Sequence, residues 1–225
     1  MRSAIYAELE PAGIGVSVPV PRRTTTRLIT AALAAWLLLI AAGVAALTEY
    51  SVRAGEQGIT PAHWPAGSMI TPIPGRDTLV MFVHPKCTCS RASLSELNEI
   101  MNAADGGAVS AFVVFLHPRG AEAGWDQTDS WASAARLPNT TRLVDREGME
   151  ADRFGALVSG HTVLYDARGT LLFSGGVTGS RGHAGDNVGR RTVLQLLAKN
   201  WSLPERHAVF GCPLRGPTDL GRRSP

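Results

Sequence analysis

Twenty consecutive residues without a charge, Leu28 to Leu47 (LITAALAAWLLLIAAGVAAL), divide this chain into two physically different parts. At about 1.5 Å per residue such a helix spans about 30 Å, the hydrocarbon thickness of a bilayer. A helix packed on a soluble core would show a polar stripe, and this run shows none. Arg22, Arg23 and Arg27 precede it and Glu49 follows it. The positive-inside bias makes 1–27 a cytoplasmic tail, 28–47 a transmembrane anchor, and everything beyond extracytoplasmic. The expectation is a single-pass bacterial inner-membrane protein, N-terminus in the cytoplasm and domain in the periplasm or its equivalent. A cleaved signal sequence is the alternative, with small residues at Val44-Ala45-Ala46, although the apolar run is long for one. Either way the domain meets an oxidising compartment.

Charge supports no nucleic-acid role. Of the formal net charge of +3, residues 1–27 hold +2, from four Arg against Glu8 and Glu10. The rest is nearly neutral, with 18 basic and 17 acidic side chains. Three cysteines are too few for a disulfide-dense scaffold.

Beyond the anchor, residues 48–76 carry Pro61, Pro65, Pro72 and Pro74 and read as a linker with at most one short edge strand. Residues 77–200 read as one α/β domain, and 201–225 as a tail containing Cys212. Thr78–Val83 and Ala108–Leu116 are continuous apolar runs of strand length, expected to be buried on both faces. Between them, Leu94, Leu97, Ile100 and Met101 recur at helical spacing over 89–102, with Glu96 and Glu99 off that stripe. A helix over 128–136, a strand over 141–144 and a short helix over 150–156 follow. His161–Tyr165 and Thr170–Ser174 flank Asp166-Ala167-Arg168-Gly169 and read as a hairpin. A Gly-rich loop, 175–189, leads to a last helix over 190–200. Helices between strands imply parallel crossovers, and the closing hairpin adds an antiparallel edge. The expected fold is a mixed central sheet with helices on both faces.

The first strand runs straight into His84-Pro85-Lys86-Cys87-Thr88-Cys89-Ser90, where a helix begins. A thiol there faces unpaired backbone N–H groups and the positive end of the helix dipole, both of which favour thiolate. Lys86 and His84 would add positive charge. Thiolate attacks disulfides and binds soft metals. Residues two apart on a helix diverge by about 200°, so a Cys87–Cys89 bridge requires a non-helical turn with Cys87 at the cap.

At this stretch the chain resembles the thioredoxin superfamily, whose redox members run strand, Phe-x-x-x-x-Cys-x-x-Cys, helix. Phe82 and Cys87 have that spacing. The resemblance implies that Cys87 is the exposed attacking thiol of a thiol–disulfide oxidoreductase acting on protein thiols or disulfides outside the cytoplasm, with no cofactor. The second position departs: Ser90 stands where the family has Cys, and Cys89 lies one residue earlier. Cys89 is then the expected resolving thiol and Cys212, in Val209-Phe210-Gly211-Cys212-Pro213-Leu214, the alternative. Cys212 could equally be an inert buried cysteine. Residues 144–169 resemble the second half of TlpA-type and peroxiredoxin-like thioredoxin folds, with His161 where those families place a cis-proline beside the thiol. Arg181 and His183, in the Gly-rich loop, are further candidates to modulate the site, as are His84, Lys86, Ser90 and His161. The HPKCTCS stretch together with the SGH…LYD…FSGG…GSRGHAGDN pattern is similar to membrane-anchored RedB-type redox proteins. The rival reading is copper binding or delivery by Cys87, Cys89, Cys212 and His161, thiolates being suited to Cu(I). A thiol peroxidase is disfavoured, because no Pro-x-x-x-Thr/Ser-x-x-Cys motif is present. His63, His117 and His207 read as ordinary loop histidines.

Overall fold

The computed structural model describes residues 23–104, 107–199 and 204–215. Residues 1–22 of the expected cytoplasmic tail, Gly106, Asn200 at the expected end of the last helix, and 216–225 lie outside the described residues. Two compact units emerge, Met1–Ala46 and Leu47–Pro225.

Helix α1 (Arg23–Val52) is longer at both ends than the uncharged run. No Pro or Gly interrupts the flanking residues 23–27 and 48–52, so the backbone continues in register. Its most apolar window has a mean hydropathy of 2.4, and Leu33, Trp36, Leu38 and Leu39 are all exposed. The helix is long and apolar enough to cross a bilayer.

The second unit is built on a six-stranded sheet in the order β3-β2-β1-β4-β5-β6. Strand β1 (Asp77–Val83) is central. It pairs in parallel with β2 (Val109–His117), which pairs in parallel with β3 (Thr140–Arg146). On its other side β1 pairs antiparallel with β4 (His161–Tyr165), which forms the hairpin with β5 (Leu171–Gly176). Crossovers are made by α2 (Ser90–Ala103), α3 (Asp129–Ala134) and α4 (Met149–Arg153), and α5 (Val188–Leu197) follows the hairpin. The mixed sheet implied by the order of elements is the one observed.

Alternation along β1 sends Leu79, Met81 and Val83 to one face and Val80 and Phe82 to the other. The first face is covered by Leu94, Leu97, Ile100 and Met101 of α2 and by Val193 and Leu196 of α5. The second face is covered partly by α4 and partly by segments outside the helices. Trp64 stacks edge-on against Phe154 and Tyr165, each at 5.2 Å, and Leu214 of the tail is 3% exposed in the same cluster. The stretch read as a linker therefore serves in part as core cover. It is bonded there through Trp64 N–H to the Gly169 carbonyl (2.8 Å) and Leu171 N–H to the Ala62 carbonyl (2.9 Å). Glu150 is fully buried and accepts from Ser68 Oγ (2.6 Å) and Met69 N–H (3.1 Å).

Two features differ from expectation. Glu96, placed off the apolar stripe, is 1% exposed. The Gly-rich loop folds over it, so its carboxylate accepts the Gly185 N–H at 2.7 Å and faces Arg190 Nη1 at 3.1 Å. The tail also adds a sixth strand, β6 (Glu205–Arg206), parallel to β5, which the polar pair Glu-Arg does not signal.

Candidate functional site

After Val83 the chain turns through residues 84–89 before α2 begins. Cys87 N–H donates to the His84 carbonyl (3.0 Å), and Ser90 N–H donates to the Cys87 carbonyl (3.1 Å). The helix cap is Cys89, with helical backbone angles, so Cys87 is a turn residue two positions before the cap. The expectation that Cys87 caps the helix is corrected: the turn opened by Pro85 consumes three residues before the helical ladder starts.

Two other segments converge on this turn. In the loop before β4, Ser159 Oγ accepts the His84 N–H at 2.9 Å and lies 2.9 Å from Ser90 Oγ, and Gly160 N–H donates to the Phe82 carbonyl at 2.7 Å. The tail returns along β5 and crosses the same loop. Its His207 N–H donates to the Ser174 carbonyl (3.0 Å) and its Ala208 carbonyl accepts the Gly176 N–H (3.2 Å). Farther on, Ser159 N–H donates to the Cys212 carbonyl (2.8 Å) and Leu214 N–H donates to the Leu157 carbonyl (2.9 Å), with Pro213 opposite Val158 in an antiparallel bridge. Gly211 is required by this approach: a β-carbon there would sit 2.0 Å from the Ser159 carbonyl oxygen. Arg215 fastens the end, donating to the Glu147 and Gly148 carbonyls at 2.7 Å each and pairing with Asp152 at 2.8 Å.

The consequence is a sulfur pair. Cys87 Sγ lies 2.9 Å from Cys212 Sγ, and all three cysteines are thiols. Cys87 is only 3% exposed, whereas the resemblance implies an exposed thiol; the tail covers it. Cys89 and Cys212 are partly exposed.

Electrostatics separate the three thiols. Burial pushes Cys87 up, but hydrogen bonds from the Cys212 side chain and backbone, the Ser90 hydroxyl and the Cys89 backbone outweigh it. The net effect holds Cys87 below the ordinary thiol range. Cys89 is pushed up by burial and then by the Cys87 charge and hydrogen bond, with Arg181 and Thr88 opposing. Cys212 is pushed up to about 12 by burial, its hydrogen bond to Cys87 and the neighbouring thiolate charge, with Arg181 opposing. The three thiols are thus graded, Cys87 lowered and Cys89 and Cys212 raised.

The remaining candidates divide. The Ser90 hydroxyl, 2.9 Å from Ser159 Oγ and 3.4 Å from the His84 carbonyl, helps hold Cys87 down. Arg181 reaches the site from the Gly-rich loop: its Nη1 donates to the Gly211 carbonyl, beside Cys212, and its Nε to the Tyr50 carbonyl (3.1 Å). His84 and Lys86 are not among the groups that shift Cys87. Burial, with Lys86 adding to it, holds the His84 imidazole below its usual range, and its ring packs edge-on against Trp125, over which Lys86 Nζ also sits at 4.7 Å. The charge expected of His84 is therefore not supplied. His161 is 1% exposed and pushed down to about 4 by burial and then by Arg206. Its Nε2 lies 3.0 Å from Ser174 Oγ, which lies 2.6 Å from Thr60 Oγ1, while its Nδ1 has no hydrogen-bond partner among the described residues. His183 is exposed and bonds only through its backbone among the contacts described. Ser159 entered the sequence reading only as the first residue of the SGH stretch, with no role assigned, because a Ser in a loop gives no sign of the partners it will meet.

Among the described residues, no three His, Cys, Asp or Glu side chains stand together in an arrangement that could hold a metal ion.

No family model matches this chain, and no curated protein matches it. Among solved structures, it is similar to an uncharacterized conserved protein from Geobacillus kaustophilus, at 15% identity over 73% of this chain and 93% of that one, with a TM-score of 0.53. A hypothetical protein from Sinorhizobium meliloti 1021 is similar at 17% identity over 73% and 94%, with a TM-score of 0.52. A secreted Mycobacterium tuberculosis disulfide oxidoreductase matches more loosely, at 20% identity over 56% and 83% and a TM-score of 0.38. The mixed sheet, with parallel strands on one side of β1 and the antiparallel hairpin on the other, has the arrangement expected from the sequence, and the cysteine turn lies at the end of its central strand.

Proposed function

We propose that this thioredoxin-like chain is a membrane-anchored thiol–disulfide oxidoreductase of the extracytoplasmic space, with Cys87 as its nucleophile. The observation that carries the reading is the 2.9 Å approach of the Cys87 and Cys212 sulfurs, with Cys87 held below the ordinary thiol range. The RedB-type pattern around HPKCTCS and the uncharged helix fit the same reading.

The chemistry balances as follows. The Cys87 thiolate attacks one sulfur of a substrate disulfide; a mixed disulfide forms and the other substrate sulfur leaves as thiolate, taking a proton from solvent. A second thiol of this chain, Cys212 or Cys89, loses its proton to solvent and attacks the Cys87 sulfur. The substrate leaves with its second sulfur as thiolate. The substrate gains two electrons, and two sulfurs of this chain become one disulfide.

The full-length protein in detergent, equilibrated in glutathione redox buffers, alkylated and mapped by mass spectrometry, is expected to show one reversible two-electron couple that Cys87→Ser abolishes. Absence of any reversible couple would refute the proposal. Stoichiometric copper after anaerobic purification, lost in Cys87→Ala, would instead support the copper reading. A reporter fused after residue 53 is expected to be active only outside the cytoplasm, and a cytoplasmic signal would refute the orientation.

A further inference from the structure

One guanidinium joins three distant segments at this site. Arg181 lies in the Gly-rich loop, and its backbone N–H donates to the Ser51 carbonyl at 2.9 Å. Its Nε donates to the Tyr50 carbonyl (3.1 Å) and its Nη2 to the Arg53 carbonyl (3.4 Å), while the guanidinium lies over the Tyr50 ring at 4.8 Å. These carbonyls sit in and just past the last turn of α1, where the helical ladder leaves oxygens without partners and favours a cation. The remaining Nη1 donates to the Gly211 carbonyl. That oxygen belongs to the peptide group leading into Cys212, so a planar fork fixed on one side by the helix end fixes the cysteine's backbone on the other. The same stretch holds the tail further back: Gly55 N–H donates to the Val209 carbonyl (2.8 Å) and Gln57 Nε2 to the His207 carbonyl (2.5 Å).

The charge of Arg181 reaches the sulfurs as well, opposing the upward push on both Cys212 and Cys89. Besides burial, the groups that act on Cys212 are Cys87, Cys89 and Arg181. Once Cys87 is bonded to a substrate sulfur, its charge is gone and it no longer accepts the Cys212 proton as a thiolate. Two of the causes that keep the proton on Cys212 then vanish, and the guanidinium is left. We infer that Arg181 is the positioning residue of Cys212: it holds the Gly211–Cys212 peptide at the cysteine turn and supplies the positive charge that steadies the Cys212 thiolate as that sulfur attacks Cys87. The inference rests on the oxidoreductase reading and selects, between its two resolving thiols, the one 125 positions away. In this step Cys212 loses its proton to solvent, its thiolate attacks the Cys87 sulfur and the Cys87–Cys212 bond forms. The bond from Cys87 to the substrate sulfur breaks, and the electron pair leaves with the substrate sulfur, which solvent protonates. Arg181 takes no proton; it acts through Cys212.

The test uses the full-length Cys89→Ser protein in detergent, whose thiols are Cys87 and Cys212. The probe is 2,2′-dithiodipyridine, supplied at equimolar amount. Attack by Cys87 releases one pyridine-2-thione and leaves a pyridyl mixed disulfide. Attack by Cys212 then releases the second and closes the Cys87–Cys212 bond, so both steps are read optically. Arg181→Gln is expected to slow the second release relative to the first by about tenfold, the loss of one charge-assisted contact. Arg181→Lys keeps the charge and should recover most of that loss, whereas a role confined to tethering would slow both variants alike. Acidity gives the second readout. Cys87→Ser/Cys89→Ser removes the Cys87 charge as the mixed disulfide does, and in it Cys212 should titrate below the value of about 12 that it has beside Cys87. Adding Arg181→Gln should raise that midpoint by about one pH unit, and adding Arg181→Lys should leave it in place. A midpoint that stays or falls with Arg181→Gln, or a second release that Arg181→Gln and Arg181→Lys slow equally, would overturn the role of Arg181. Should Arg181→Gln not fold, a midpoint displaced by Arg181→Lys although the charge is kept would overturn it. No second release in the Cys89→Ser protein would overturn the choice of Cys212. No first release would overturn the oxidoreductase reading itself, which separates the failures.

Discussion

Replacing Gly211 by Ala tests whether the tail gates Cys87. The added β-carbon would fall 2.0 Å from the Ser159 carbonyl oxygen. Ordinary contact needs about 3.4 Å, and packed interiors absorb such a displacement poorly, so the tail must move by more than about 1 Å. That motion removes the Ser159–Cys212 backbone bond and the Arg181–Gly211 bond. At about 1 kcal/mol for the neutral bond and about 1.5 kcal/mol for the charge-assisted one, docking weakens by about 2.5 kcal/mol, or about 70-fold. Cys87 is 3% exposed while the tail is docked, so a bulky maleimide reaches it only in the undocked population. In that population Cys212 is absent from the thiolate in both proteins, so acidity differences cancel and the rate ratio reports opening alone. The fully reduced full-length protein is labelled at fixed pH and Cys87 modification is followed by mass spectrometry. Labelling in Gly211→Ala should be faster by about 70-fold, with a ceiling where the tail is always open. An increase below about threefold would refute the idea that these bonds hold the tail over Cys87.

Three further outcomes are expected. His161 is pushed down to about 4 from an unfolded value of about 6.5, so the unfolded chain binds the extra proton between those values; stability is full above about pH 6.5 and falls by about 3 kcal/mol as the pH drops to 4. Urea unfolding of the protein against pH should show this slope, and His161→Gln should flatten it; an unchanged slope would assign the acid sensitivity elsewhere. Glu96→Ala leaves the Gly185 N–H without its acceptor and Arg190 without its buried counter-charge and should cost about 3 kcal/mol by urea unfolding, with Glu96→Gln costing less; a loss under about 0.5 kcal/mol would show that the loop does not depend on it. Ultraviolet titration of the reduced protein should show one thiolate forming below the ordinary thiol range, absent in Cys87→Ser and displaced upward in Cys212→Ala, which removes a hydrogen-bonding thiol from Cys87; an onset unmoved by Cys212→Ala would mean that the sulfur pair does not set the acidity.

Local pattern carried the strands well because each fills one line of the sheet. The apolar runs Thr78–Val83 and Ala108–Leu116 correspond to β1 and β2, and His161–Tyr165 to β4, within a residue or two. The stripe Leu94, Leu97, Ile100 and Met101 packs on the first face as its period implies. Glu96 was illegible for a definite reason: a carboxylate on a helix reads as solvated until a loop 89 residues away supplies its donor. The cover of the second face was equally hidden, because Trp64 and Leu214 lie in segments without periodicity and find their places only against a finished sheet.

At the site, one-dimensional information identified the strand-to-helix turn and the cysteines within it, because the Phe82–Cys87 spacing and the helix that follows are local properties of the chain. The ranking of partners is not local. Cys89 is near in sequence, yet the sulfur found 2.9 Å from Cys87 belongs to a residue 125 positions away. That juxtaposition depends on a strand added beside β5, two backbone bonds to residues 157 and 159, and a glycine that admits the approach. Each is a contact between distant segments whose free energy exists only once the sheet has formed, so the residues themselves announce the thiol chemistry while the packed chain alone selects which sulfurs meet.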